Sequence, residues 1–228
     1  MSATLDLDGV FEALARQRPR IRGPGRSLMF VAAQESEDSF ALMYAAARAR
    51  RSQTLYAIDL DVRRNRLARK LRAEGATLGP RIDARLGGVR LFEAVSADGV
   101  TIPELRPTFS FHRVDKTRLF IGGYDARGLP KDLRVRMCDA PGFWTAARAG
   151  GALTLVDAPS LDRSRLGLLV ARHMDGVVLV VGDGADAAPA AMRAKAQLRA
   201  AGADLLGIVY AGASAPVMAM RRLWRQAG

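Results

Sequence analysis

The chain has 228 residues, 49% hydrophobic and 25% charged, which is length and apolar mass enough for one well-packed α/β domain. Its formal net charge is +12, and 31 of its 35 basic residues are Arg; this suits an anionic partner or a merely Arg-rich composition, but without zinc-ligand spacing, an RNP-type aromatic pattern or a basic zipper no nucleic acid is expected. A single cysteine, Cys138, excludes an internal disulfide and points to a reducing cytoplasm, and the apolar runs are far shorter than the ~20 residues of a membrane-spanning helix.

Leu7, Val10, Phe11 and Leu14 recur at helical spacing, so an amphipathic helix is predicted over Leu7–Arg18, followed by a Gly/Pro turn over 20–26. Ser27–Ala33 reads as a short buried strand, Phe40–Arg51 as an Ala-rich helix, and Thr54–Asp59 as a second buried strand leading to a basic helix over 64–74. Residues 75–130 are less regular, with one apolar patch at Val89–Val95 and a strand at Thr117–Gly122. Further on come a helix at Phe143–Ala149, a strand at Ala152–Val156 ending in Asp157, and a helix at Leu166–His173. A strand at Gly176–Val181, a helix at Ala187–Ala201, a strand at Leu205–Tyr210 and a short basic helix at Ala215–Gln226 complete the series.

Strands that are apolar throughout, alternating with helices, predict a doubly wound, mostly parallel α/β sheet covered on both faces. The expected organisation is a helix and linker over 1–26 and a single α/β domain over 27–228. Right-handed crossovers bring the strand C-termini to one edge, where such folds bind ligands, and Asp59, Asp157 and Asp183 all follow strands there. His112 and His173 are isolated, so no metal site is expected from them.

The turn after the first strand is the informative segment. A strand that enters a helix through a Gly-rich turn lets backbone N–H groups wrap a phosphate, while a Lys neutralises its oxygens and a Ser or Thr binds magnesium. Here the turn runs Gln34, Glu35, Ser36, Glu37, Asp38, Ser39, with no Gly and no Lys. Glu35, Glu37 and Asp38 would repel a polyphosphate by about 1 kcal/mol per charge pair in water and several in a drier cleft. No ATP or magnesium is therefore expected as a cofactor. Read on their own, Asp59, Asp61 and Asp157 either cap the following helices or form a chemical site. Arg63, Arg64, Arg66, Arg69 and Arg72 form either a solvated helix face or a docking surface for a membrane-protein tail or anionic headgroups.

The segment Tyr56–Arg64, with Asp59, Asp61 and Arg63, resembles the D-x-D-x-R element of bacterial tyrosine kinases, the cytoplasmic kinase domains of polysaccharide export systems. Leu153–Ser160, with Asp157 and Pro159, resembles their Walker B strand, D-x-P-P, with Ser160 at the second Pro. Asp175–Val181 and Leu206–Tyr210 match the two following strands, in register over roughly Ser27 to Gly212. The resemblance implies a P-loop fold of the MinD/ParA and tyrosine-kinase kind. It places Asp59, Asp61 and Asp157 where the family holds magnesium and positions the attacking hydroxyl, and Ser39 where its loop has the magnesium-binding Ser or Thr. The family's G-E-G-K turn is replaced by Glu35, Ser36, Glu37 and Asp38. Ala211 stands where the family has an adenine-contacting Asn, and no Tyr follows Tyr210, where the family has a tyrosine-rich tail.

The implied function is that of a pseudo-kinase: a cytoplasmic regulator or scaffold of exopolysaccharide synthesis and export, the holdfast system among the candidates. It would be held at the inner membrane by the cytoplasmic tail of a polysaccharide co-polymerase (Wzz-like). Self-association through Val10–Leu14 stays open, although Glu12, Arg16 and Arg18 do not reproduce the family's E-x-x-R-x-x-R pattern. Two alternatives remain: a divergent ATPase or tyrosine kinase using Ser39, Asp59, Asp61 and Asp157, and a MinD/ParA-like positioning protein.

Overall fold

Uninterrupted apolar runs such as LMFVA and GVVLVV cannot be satisfied at a surface and fold as inner strands, buried on both faces. In the computed structural model, residues 7–19, 23–35, 37–50, 52–62, 64–102, 109–125, 129–130, 132–182 and 184–210 are described. The first half of the chain forms α1 (Leu7–Arg16), β1 (Arg26–Ala32), α2 (Ser39–Ala49), β2 (Leu55–Asp59), α3 (Arg66–Ala73) and β3 (Leu78–Asp83). The middle forms β4 (Phe92–Val95), β5 (Thr101–Ile102), β6 (Phe109–Val114), β7 (Leu119–Tyr124) and β8 (Arg134–Met137). The last part forms α4 (Pro141–Ala149), β9 (Leu153–Ala158), α5 (Leu166–Ala171), β10 (Gly176–Val181), α6 (Ala187–Ala200) and β11 (Leu205–Tyr210).

Among the described residues the main sheet has eight strands in the order β11-β10-β1-β9-β2-β7-β6-β3. Pairing is parallel from β11 across to β7, and only β6 runs against its two neighbours. The mostly parallel α/β sheet is thus the architecture expected from the strand pattern. Helices cover both faces. Phe11 and Leu14 of α1, Phe40 and Met43 of α2 and Leu67 and Leu71 of α3 pack with Leu28, Phe30 and Leu155 on one side. Phe143 and Trp144 of α4, Val170 of α5 and Ala194 and Leu198 of α6 pack with Met29, Val31, Val156 and Leu179 on the other.

Residues 75–130 are more regular than expected: the strand read at Thr117–Gly122 is β7, and further strands surround it. They hold β3 to β7, and β4 pairs with β5 and with β8 in a separate three-stranded antiparallel sheet. The strand signal is weak there for a physical reason. β3 (LGPRID) is an edge strand, exposed over its last four residues and carrying Gly, Pro and charge, and the apolar pattern of β6 (FSFHRV) is interrupted by Ser110, His112 and Arg113. The predicted helix at Ala215–Gln226 and the predicted site residue Ala211 lie outside the described residues.

Arg148, an arginine the sequence pattern places on an ordinary helix, is fully buried. Its Nε donates to Asp175 Oδ2 at 2.8 Å, one terminal nitrogen donates to the Trp144 carbonyl at 2.9 Å, and the other reaches the His173 carbonyl. Asp175 Oδ2 also accepts from the Ser27 N–H at 2.8 Å. This ion pair ties α4 to the starts of β1 and β10, at the edge opposite the candidate site.

Candidate functional site

The parallel strands end together. β2 and β9 are in register so that Asp59 lies beside Asp157, and the end of β1 lies between β9 and β10. This edge gathers Glu35, Glu37, Asp38 and Ser39 from the β1–α2 turn, Asp59 and Asp61 from the end of β2, and Asp157 from β9. Ser36 and Arg63, both singled out in the sequence, lie outside the described residues, as does Asp183.

Each aspartate has its oxygens taken within the chain. Asp157, 0% exposed, accepts from the Ser39 hydroxyl at 2.7 Å through Oδ1 and from Arg66 at 3.1 Å through Oδ2. Asp59 accepts from the Asp61 N–H through Oδ1 and from the Arg66 N–H through Oδ2, both at 2.8 Å, and so fixes the entry into α3. Asp61 accepts from the Arg64 N–H at 3.3 Å through Oδ1 and from the Arg163 guanidinium through Oδ2. Arg64 also pairs with Glu35. All six carboxylate oxygens of the three aspartates therefore face an in-chain donor.

Magnesium is held by oxygen ligands that converge on one point with room for water. Among the described residues no group of three His, Cys, Asp or Glu side chains is placed to hold a metal ion. The retained carboxylates point to arginines and backbone amides of the chain itself.

Burial sets the protonation of the central pair. Desolvation, reinforced by the charge of Asp59, pushes the Asp157 carboxyl up to about 8, against the opposing pull of Ser39 and Arg66. Asp59 is raised to about 6, again by desolvation first, with the N–H of Asp61 and the charge of Arg66 acting the other way.

The turn residues are placed as anchors. Asp38 caps α2 by accepting from the Ala41 N–H at 3.1 Å and pairs with Arg66 at 3.3 Å. Glu37 turns inward onto main-chain amides at the ends of β1 and β10. The Arg66 guanidinium also lies 4.8 Å above the Phe40 ring. Of the predicted basic surface, Arg66 and Arg64 are therefore drawn into the edge network, while Arg69 and Arg72 stay exposed. Arg163, Asp162 and Gly182 carry no motif that marks them in the sequence. All three lie on loops following β9 or β10, and their role comes from pairing across 100 residues or more with Asp61, Glu35 and Glu37.

No protein-family model and no curated protein matches the chain. Among solved structures it is similar to the chimerical protein CapA2B2, at 12% identity over 90% of this chain and 80% of that one, with a TM-score of 0.50. It also matches the VpsO kinase domain, at 14% identity over 90% and 95% of the two chains, with a TM-score of 0.47. The kinase domain of Escherichia coli tyrosine kinase ETK matches at 15% identity over 86% and 72%, also with a TM-score of 0.47. At these identities the likeness concerns the fold. That fold is a doubly wound, mostly parallel α/β sheet.

Proposed function

We propose that the chain is a catalytically inactive, kinase-like protein that works by binding. Its role would be that of a cytoplasmic regulator or scaffold of exopolysaccharide synthesis and export, docked on the tail of an inner-membrane co-polymerase. The observation that carries the inactive reading is the closed network at the sheet edge. Arg66 and Arg163 stand on Asp157 and Asp61, and backbone amides stand on Asp59, where phosphoryl transfer would need magnesium and a phosphate chain. The turn that would wrap the phosphates brings three acids and no Lys. No helix among the described residues is long and apolar enough to cross a membrane. Arg69 and Arg72 on the outer side of α3 offer exposed positive charge for an anionic tail.

Calorimetric titration with magnesium and ATP tests the inactive reading, with Asp157→Asn as the companion. Absence of binding supports it; binding tighter than about 100 μM that Asp157→Asn abolishes would establish the divergent ATPase or kinase instead. Co-purification from the native membrane tests the partner. Recovery of a two-helix co-polymerase supports the scaffold, and recovery of cell-pole proteins instead would favour positioning.

A further inference from the structure

The carboxylate of Glu37 belongs neither to the aspartate–arginine network nor to the cap of α2. The residue is only 8% exposed, yet each of its oxygens accepts from a main-chain N–H: Oε2 from Gln34 at 3.0 Å and Oε1 from Gly182 at 2.6 Å. The two donors follow β1 and β10, which are paired neighbours in the sheet. Gly182 leaves the space for this approach, because a Cβ there would lie 3.3 Å from Glu37 Cγ and 3.4 Å from Oε1. The next amide of the same turn, that of Glu35, takes a second in-chain carboxylate, Asp162 Oδ2, at 3.1 Å. Main-chain N–H groups converging on one anion form an oxyanion cradle, and here the anion is tethered to the chain.

We propose that the N–H groups of Gln34 and Gly182 form an oxyanion site of carboxylate or phosphate type, which Glu37 occupies as an internal ligand and so keeps closed. The proposal rests on the non-catalytic reading and deepens it: the edge is shut by a competing anion, as well as lacking the glycines and Lys of a phosphate loop. A ligand on a short tether acts at an effective concentration in the millimolar range or above, so free phosphate at lower concentration does not displace it. Glu37 thereby also joins the β1 and β10 loops, fixing the turn that carries Asp38 and Ser39 into α2.

Amide spectra of the full chain report both donors directly, with inorganic phosphate as the probe. In the wild type, phosphate up to roughly 10 mM leaves the Gln34 and Gly182 amides unmoved. In Glu37→Ala both amides shift upfield as their acceptor is lost, then return downfield and saturate with phosphate, at an affinity at least about tenfold above that of wild type. Glu37→Gln, with one carbonyl oxygen, keeps one of the two bonds and moves the other amide. Phosphate that leaves both amides of folded Glu37→Ala unmoved, or that binds wild type equally well, overturns the proposal. If Glu37→Ala does not fold, Glu37→Gln decides, and unchanged resonances for both amides there overturn it. The two readings fail separately. Wild-type binding of magnesium and ATP defeats the non-catalytic reading whatever Glu37→Ala does, and an inert Glu37→Ala beside an inert wild type defeats only the internal-ligand proposal.

Discussion

Arg66→Ala removes the guanidinium that faces Asp157 at 3.1 Å, Asp38 at 3.3 Å and the Phe40 ring at 4.8 Å. With the Asp157 carboxyl raised to about 8, the buried acid is largely protonated at pH 6, and Arg66 donates there to a neutral partner. The loss at pH 6 is then the hydrogen bond from a charged donor to buried Asp157, about 1.5–2 kcal/mol, plus about 0.5–1 kcal/mol of ring contact, with little from the exposed pair to Asp38. Above pH 8 the native Asp157 ionises, helped by Arg66, whose attraction at 3.1 Å is about 5 kcal/mol at an effective dielectric of 20. Without the arginine the folded-state pKa rises further. The folded variant then keeps a proton that the unfolded chain has lost, and its stability falls by up to about 1.4 kcal/mol per pH unit beyond that of the parent. The expected cost is about 2–3 kcal/mol at pH 6 and at least about 1 kcal/mol more by pH 9. Urea unfolding followed by circular dichroism at each pH measures it. An equal cost at pH 6 and pH 9 would refute the coupling between Arg66 and Asp157.

The same raised carboxyls make wild-type stability fall as pH climbs from about 4 to about 8, because a folded pKa above the unfolded one favours the native state most at low pH. Asp157→Asn should flatten the upper part of that profile, from about pH 6 to 8, in thermal melts; an unchanged slope would mean that Asp157 is not the titrating group. Arg148→Met leaves Asp175 buried without its guanidinium and should cost about 3–5 kcal/mol in urea unfolding, with a loss below 1 kcal/mol contradicting the buried pair. Gly176→Ala would put a Cβ 2.4 Å from Leu206 Cδ1 and 2.6 Å from its Cγ, between β10 and β11. It should cost about 1–3 kcal/mol, part of which Leu206→Ala restores in the double variant; strictly additive losses would argue against the clash.

The inner strands and the helices that flank them follow from the amino-acid pattern alone. Runs such as LMFVA and GVVLVV are apolar at every position, and only a strand covered on both faces satisfies such a run. The same pattern makes the turn after β1 acidic and leaves it without Gly or Lys, since that is a matter of composition alone. The antiparallel extension at β3 and β6 escaped because its outer strand is exposed and polar, so its pairing is set by neighbours rather than by its own pattern. What the acids do is set by long-range packing. Asp61 meets Arg163, Asp157 meets Ser39, and Glu37 meets Gly182 across separations of 102, 118 and 145 residues, and no local pattern encodes such pairings. Arg66 looked like one more charge on a basic helix, and Arg148 like another. Packing turned the first onto Asp157 and buried the second against Asp175, because a carboxylate taken out of water needs a donor wherever the fold supplies one.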